Sequence, residues 1–172
     1  MNRQKVLHQL GVIGRDLTVN SLLASKACPG RLRTTVLRAL GFKGIDPTAR
    51  MFPGTFLGST QLTMGANSGM NYGCFLDLGA PVTIGKDCGF GYQVMLINAT
   101  HEIGPAGDRT GADVAKPITI GDGVWLGARV IVLPGVTIGS GCIVATGSVV
   151  ARDLEPNGFY AGNPVRRVRD LV

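Results

Sequence analysis

The sequence lacks the features that would place the chain in a membrane or direct it to secretion. It has no run of about 18 consecutive apolar residues, the length that a membrane-spanning helix needs. Polar and acidic residues interrupt the N-terminal stretch MNRQKVLHQLGVIGRDL, which therefore has no secretory apolar core. Only 16% of the residues are charged and 45% are hydrophobic, which indicates a folded protein. We expect one cytoplasmic domain without membrane attachment.

Residues that form disulfides or bind metals are also scarce. The four cysteines are widely spaced and form no C-x-x-C pair, so we interpret them as small structural residues: Cys28, Cys74, Cys88 and Cys142. The chain has only two histidines, His8 and His101, too few for a zinc site built on three histidines. We therefore predict that the protein holds no metal ion.

Aromatic residues make up only 6% of the chain, and no nucleic-acid-binding motif accompanies its basic residues. The formal net charge is nevertheless +6, from 17 basic and 11 acidic residues. A net positive charge favours an anionic partner. A small molecule that carries several phosphates fits this composition better than DNA or RNA.

The most informative pattern is a repeat of six residues. Aliphatic or aromatic residues recur at this period from Ile84 to Val150, and a second apolar or small residue precedes each of them by two positions. The period differs from the 3.6 of an amphipathic helix and is typical of a parallel β-helix, in which three hexads close one coil. Glycine often follows the periodic residue, and we expect it to permit the bend: Gly85, Gly91, Gly121, Gly127 and Gly139.

The repeat predicts three regions. Residues 1–43 form an N-terminal helical segment, since RLRTTVLRAL has a helical apolar face between Gly30 and Gly41 and the stretch from Lys5 to Leu23 is also apolar-rich. Residues 44–154 form the β-helix, and residues 155–172 a basic tail that packs on it. The helical segment either covers an open end of the β-helix or adds a wall to a substrate pocket.

One interruption breaks the repeat. Leu96 and Ile120 are 24 positions apart, four whole hexads, but residues 102–117 are polar and contain two prolines. We predict that this segment leaves the β-helix as a surface loop, and long loops in compact repeats are usually functional. His101 lies at its base. An imidazole titrates near neutral pH, so His101 is a candidate to take a proton from a hydroxyl group.

The run from about Asn71 to Arg169 resembles the hexapeptide-repeat acyltransferases, and within them the galactoside and maltose O-acetyltransferases. The resemblance rests on ATHEIG at the loop, on PITIGDGVWLGARVIVLPGVTIGSGCIVATGSVVARDL, and on the closing AGNPVRRVR. It implies an all-β solenoid, a left-handed parallel β-helix, which assembles as a homotrimer and uses acetyl-CoA as co-substrate.

The resemblance also implies roles for individual residues. His101 corresponds to the catalytic base, and the backbone amide of Ala128 to the donor that stabilises the oxyanion. Trp125 corresponds to a tryptophan between acceptor and thioester. The positions that correspond to coenzyme contacts are Thr146, Ala151, Arg152, Arg166 and Arg169. Asn71 corresponds to an acceptor-binding asparagine, and Asp77 is a second candidate for that task.

The acceptor is less well determined than the reaction. The N-terminal stretch MNRQKVLHQLGVIGRDLTVNSLLAS does not match the segment that supplies an acceptor-binding acid in the sugar acetyltransferases. A hydroxyl group of a sugar, of a glycan precursor or of a hydroxylated natural product is the leading expectation. Two alternatives stay open: an N-acetyltransferase acting on an amino sugar, and a non-catalytic β-helix scaffold.

Overall fold

The computed structural model describes residues 3–171 and confirms the predicted parallel β-helix. Each coil contributes one short strand to each of three parallel sheets, which we name faces A, B and C in the order in which a complete coil visits them. The strands contain only two or three residues over most of the chain. Successive coils are hydrogen-bonded along their whole length, so the prism is a stack of flat triangular layers.

The three faces contain four, seven and five strands, respectively. Face A contains β3 (Leu62–Met64), β6 (Val82–Ile84), β11 (Ile118–Ile120) and β14 (Thr137–Ile138). Face B contains β1 (Arg50–Met51), β4 (Gly69–Met70), β7 (Gly89–Phe90), β12 (Trp125–Leu126), β15 (Ile143–Val144), β17 (Gly158–Gly162) and β18 (Val165–Asp170). Face C contains β2 (Phe56–Leu57), β5 (Phe75–Leu76), β8 (Met95–Leu96), β13 (Ile131–Val132) and β16 (Val149–Val150). A hairpin of β9 (Ala99–Ile103) and β10 (Thr110–Ala115) lies outside the prism.

The periodic residues form the core. All those predicted to point inward between Ile84 and Val150 are buried, as are the residues two positions before them. Along each face, the parallel pairing places inward apolar residues of adjacent coils directly above one another, for example Val132 on Leu96 and Leu126 on Phe90. The period of six therefore fixes both which residues face inward and which residue lies above which.

The glycines that follow the strands have a different role from the predicted one. Gly85, Gly91, Gly121, Gly127 and Gly139 do not have a positive φ angle. A Cβ atom added at any of them would instead lie within 2.8 Å of atoms in the next coil. The left-handed conformations occur two residues further on, for instance at Asp87 and Gly123. Glycine at these five positions thus allows the coils to approach closely, and the bend itself is made elsewhere.

The predicted N-terminal helices are present and cover the first coils. They are α1 (Arg3–Leu17), a π-helical segment (Thr18–Leu23) and α2 (Gly30–Ala39). The Asn20 side chain accepts a hydrogen bond from the Leu57 backbone amide at 2.9 Å, and Arg33 Nη1 donates to the Met51 carbonyl at 2.5 Å. These bonds satisfy backbone groups at the open end of the solenoid. None of the described helices is long and apolar enough to cross a membrane.

The basic tail is an antiparallel hairpin that extends face B. Strand β17 pairs in parallel with β15, and β18 folds back on β17. Arg167 fastens the hairpin: it forms an ion pair with Asp170 at 2.6 Å and donates to the Tyr160 hydroxyl at 2.9 Å. The hydrogen bond to Asp170 raises the pKa of the guanidinium above its usual value.

Close stacking at the glycine positions gives a test of the fold. A Cβ at Gly121 would lie 2.6 Å from the Ser140 backbone nitrogen, so Gly121→Ala should force the next coil to shift and lower the free energy of unfolding by about 1–3 kcal/mol. Gly107→Ala is the control, because a Cβ there meets nothing within 4 Å, and its effect should stay within about 0.5 kcal/mol. Urea denaturation measures both. Equal losses in the two variants would contradict the stacking argument.

Candidate active site

The interruption in the repeat is a β-hairpin, which we call the arm. The sequence predicted an irregular loop over residues 102–117, but the ordered arm begins earlier, at Ala99, and ends at Ala115. Its two strands pair antiparallel, with Ala99 opposite Ala115 and His101 opposite Asp113. The prediction missed the hairpin because the pairing has a register shift between Thr110 and Asp113, which hides the alternation of a regular strand.

Two polar side chains hold the arm at the corner between faces C and A. Asn98 is completely buried; its Oδ1 accepts from the Gly79 amide at 3.0 Å and its Nδ2 donates to the Ala80 carbonyl at 2.5 Å. Asp77 Oδ2 accepts from the Ala99 amide at 2.9 Å. The chain thus leaves the prism at a fixed point and angle, because these bonds replace those that the next coil would make.

His101 forms the central polar contact of the arm. Its Nδ1 lies 3.1 Å from Asp113 Oδ1, with the side chains 48% and 95% exposed. A carboxylate only accepts hydrogen bonds, so a proton on Nδ1 would suit this contact, and Nε2 has no partner within the described residues. Asp113 is not among the residues predicted from the sequence. Its importance depends on the cross-strand register, which no sequence motif indicates.

Asn71 and Trp125 meet on face B. Both line one groove of about 260 Å³, whose floor includes Gly89 and whose side includes Phe52. The indole of Trp125 is 57% exposed, although it belongs to a strand of the prism. Asp77, the other candidate for acceptor binding, is not in this groove; its carboxylate is engaged with the arm.

The backbone at Ala128 leaves a donor available. Ala128 follows β12 at the corner between faces B and C, directly below Thr146 in the stack, and its carbonyl accepts from the Gly147 amide at 2.9 Å. Within residues 3–171, the Ala128 amide itself donates to no backbone or side-chain acceptor. A backbone N–H in a rigid corner is suited to bind a developing negative charge.

Three exposed arginines collect at the C-terminal end of the prism. Arg152 Nη2 and Arg166 Nη1 both donate to the Val165 carbonyl, at 3.4 and 3.0 Å. Arg169 pairs with Phe159 in the hairpin, on the same side of the sheet as Arg166, and its guanidinium is 5.6 Å from the Phe159 ring centroid. Ala151 is exposed beside Arg152. None of these three arginines has an acidic partner within the described chain.

The candidate residues fall into two groups on different edges of the prism. His101, Asp113 and Asp77 lie at or beyond the corner between faces C and A. Trp125 and Asn71 lie on face B, which is opposite that corner, and Ala128 lies at the adjoining corner between B and C. A single chain therefore separates its candidate base from the groove and from the free amide.

The cysteines do not belong to the site. Cys74, Cys88 and Cys142 are buried, and burial raises the pKa of the Cys74 thiol to about 11 and the pKa values of the other two above their usual range. A thiol with a raised pKa is a poor nucleophile. No group of three or more histidine, cysteine, aspartate or glutamate side chains within the described part of the chain could hold a metal ion.

Comparison with known proteins supports the fold at several levels. The family described as bacterial transferase hexapeptide (six repeats) matches residues 117–152. A crystal structure of a hexapeptide-repeat acetyltransferase of Vibrio cholerae O1 biovar eltor, complexed with acetyl coenzyme A, is 27% identical with a TM-score of 0.79 and covers 99% of this chain and 91% of its own. A maltose O-acetyltransferase of Clostridium difficile 630 is also 27% identical, with a TM-score of 0.76 and coverages of 99% and 90%.

A protein of Schizosaccharomyces pombe, whose own assignment as an acetyltransferase is an inference, is 43% identical over 102 residues. This match covers 59% of the present chain, which spans about half (49%) of the relative's length. All three comparisons indicate the same fold: the match to the repeat family, the structural similarity over the whole chain and the sequence match. They confirm the predicted resemblance: the chain contains hexapeptide repeats and has the fold of the hexapeptide-repeat acetyltransferases.

Proposed function

We propose that the protein transfers an acetyl group from acetyl-CoA to a hydroxyl group of a sugar, a glycan precursor or a hydroxylated natural product. The observation that carries this proposal is the His101–Asp113 pair on the arm, because it places an imidazole beside a carboxylate where a hairpin projects from the prism. A scaffold without catalytic function would have no need of this pair. The relatives and structural neighbours named as acetyltransferases support the same reaction.

His101 acts as the general base. Nδ1 holds its proton against Asp113, and Nε2 takes the proton of the acceptor hydroxyl as the hydroxyl oxygen attacks the thioester carbonyl carbon. Asp113 is a positioning residue, since it fixes the tautomer and the plane of the ring. The pair is exposed to solvent in a single chain and stabilises the fold very little.

The tetrahedral intermediate carries a negative charge on the former carbonyl oxygen. The Ala128 amide, which has no acceptor within the described chain, is the proposed donor to this oxyanion. When the intermediate collapses, the carbon–sulfur bond breaks, the acetyl ester forms, and the coenzyme leaves as a thiolate that takes up a proton. Trp125, on the same coil, forms a wall beside the reacting atoms.

Acetyl-CoA binds along the C-terminal coils in this proposal. Thr146 and Ala151 line the path of the pantetheine arm, and the phosphates meet the three arginines without acidic partners, Arg152, Arg166 and Arg169. Guanidinium groups suit this role because they form bidentate hydrogen bonds with phosphate oxygens. Arg167 does not take part, because Asp170 and Tyr160 already occupy it.

The separation of the two groups of residues supports a homotrimer with sites between subunits. A neighbouring chain can place its arm against face B, which joins its His101 to the groove at Trp125, and identical contacts close a ring. Face C supplies an apolar contact surface: its outward side chains are all apolar and half-buried, namely Phe56, Phe75, Met95, Ile131 and Val149. The outward side chains of face A are threonines. On the arm, Ile103 is 88% exposed and suited to contact a neighbour.

The base assignment predicts the behaviour of two variants. His101→Ala should lower kcat by about 10²–10⁴-fold, the usual contribution of a positioned base, and leave the affinity for CoA unchanged. Asp113→Asn keeps the shape but offers an amide to Nδ1, so it should reduce kcat and alter the pH profile without changing the KM for acetyl-CoA. Normal turnover of His101→Ala with its acceptor would show that another group is the base.

The coenzyme site predicts a separate effect on binding. Reversing the charge at Arg152 and Arg169 with glutamate should raise the KM for acetyl-CoA by about tenfold or more, because each charge-assisted hydrogen bond to phosphate is replaced by repulsion. Lys43→Glu with Lys26→Glu reverses two charges at exposed positions away from the C-terminal coils; this double variant is the matched control and should leave the affinity for CoA unchanged. Calorimetry with CoA checks both variants. Unchanged affinity in the double arginine variant would place the phosphates elsewhere.

A further inference from the structure

Face B contains a long groove whose floor consists of two glycines. The 260 Å³ groove at Trp125 continues into a larger one of about 800 Å³, because both include Phe52, Gly69 and Gly89 in their lining. Arg50 lies at the far end, on β1. We call this continuous depression the glycine groove, bounded by Arg50 and Phe52 at one end and Trp125 at the other.

The fold itself gives no reason for glycine at these two positions. Neither Gly69 nor Gly89 has a positive φ angle. A Cβ at Gly69 would meet no atom within 4 Å, and one at Gly89 would meet only the Trp125 Cδ1 atom at an ordinary 3.8 Å. Glycine in a strand costs about 0.5–1 kcal/mol relative to alanine. At the corner glycines, such as Gly121, a side chain would collide with the next coil. At Gly69 and Gly89 a side chain would only fill the groove.

The groove has polar and apolar lining and a single charge. Its larger part is lined by threonine, serine and asparagine side chains and by Arg50, together with apolar residues such as Pro47 and Phe52, and it contains no carboxylate. The Arg50 guanidinium has no hydrogen-bond or ion-pair partner within residues 3–171. Phe52 and Trp125 are 43% and 57% exposed, so both present ring surface. Ring faces beside polar groups suit a carbohydrate, and an unpaired guanidinium suits a carboxylate or phosphate.

The dimensions set the size of the ligand. The outward positions Arg50, Gly69, Gly89 and Trp125 follow one another on adjacent strands of face B. Three spacings between neighbouring strands separate the first from the last, roughly 14 Å. This distance matches a disaccharide and exceeds a single sugar ring. The arginines assigned to the coenzyme lie beyond Trp125 in the opposite direction, so the groove lies on the acceptor side.

We propose that the glycine groove binds the acceptor, a molecule of disaccharide length that carries a carboxylate or phosphate held by Arg50. This inference rests on the proposed function, because the bound molecule is an acceptor only if the protein transfers acetyl groups. The groove and its preference for an anion are inferred from geometry alone. The hydroxylated ring lies against Trp125, where the base of a neighbouring arm reaches it. The anionic group lies at the N-terminal end, between Arg50 and Phe52.

Binding can be measured without turnover, because Trp125 is the only tryptophan in the chain and lies in the groove. Titrations of the full-length protein with maltose, maltobionate and maltose 1-phosphate compare a neutral, a carboxylate and a phosphate form of one disaccharide by indole fluorescence. Both anions should bind about ten- to a hundredfold more tightly than maltose if Arg50 holds them; tighter binding of only one identifies which anion the groove selects. Equal affinities for all three would overturn the proposal.

Two variants with matched controls locate the effect. Arg50→Gln should remove the preference for the anionic sugars, and Lys43→Gln should retain it. Gly69→Val fills the floor without straining the backbone and should weaken binding of all three sugars, whereas Thr83→Val, at an outward position of face A, should not. Light scattering and CoA titration accompany each variant. Dissociation of the oligomer by Gly69→Val would mean that a subunit covers the groove and would overturn the proposal, as would an Arg50→Gln protein that retains the preference.

The same titrations separate this inference from the proposed reaction. Tight binding of an anionic disaccharide that depends on Arg50, without acetylation of that sugar or any other acceptor, would refute the transferase assignment and leave the groove standing. Acetylation of anionic acceptors with a KM that Arg50→Gln does not change would support the reaction and refute the role of Arg50 in holding the anion.

Discussion

The stacking of one coil on the next constrains everything else in this molecule. Backbone hydrogen bonds join each coil to its neighbours, and at the corners a glycine of one coil lies so close to the next that no side chain fits between them. The bonds from Gly85 to Ile120 and from Met95 to Val130 continue across the interruption, at 2.8 and 2.9 Å. Because no layer can be opened, residues that do not follow the period of six must leave the prism, and the arm is the result.

Polar chemistry is confined to places where the stack permits it. Regular outward side chains make the faces nearly flat, and two features depart from this regularity: the arm projects at one corner, and side chains are omitted on face B. His101 and Asp113 occupy the first, and the groove with Trp125 occupies the second. The rigid prism keeps the two apart within one chain, and the proposed trimer would bring them together between two chains.

The sequence was sufficient to predict what depends on the period. The inward residues, the parallel stacking and the N-terminal helices follow from local patterns, and the prediction of each is confirmed. The hairpin in the arm was not predictable, because its pairing depends on a register shift, and Asp113 was missed with it. The predicted role of the corner glycines was wrong. They allow adjacent coils to approach closely, and the sequence of one repeat does not show the distance to the next coil. Asp77 was expected beside Asn71, but they lie on different edges, as its bond to Ala99 shows.

The central claim is that each site joins the base of one chain to the groove of another, and mixed trimers test it most directly. His101→Ala and Trp125→Ala chains, each inactive alone, are co-expressed with different tags, and trimers that contain both are isolated. In every trimer that contains both chains, one of the three interfaces combines an intact His101 with an intact Trp125 from a neighbour, so about a third of native activity should return. Mixed trimers that are no more active than their parents would contradict the account, because a site within one chain always keeps one of the two substitutions.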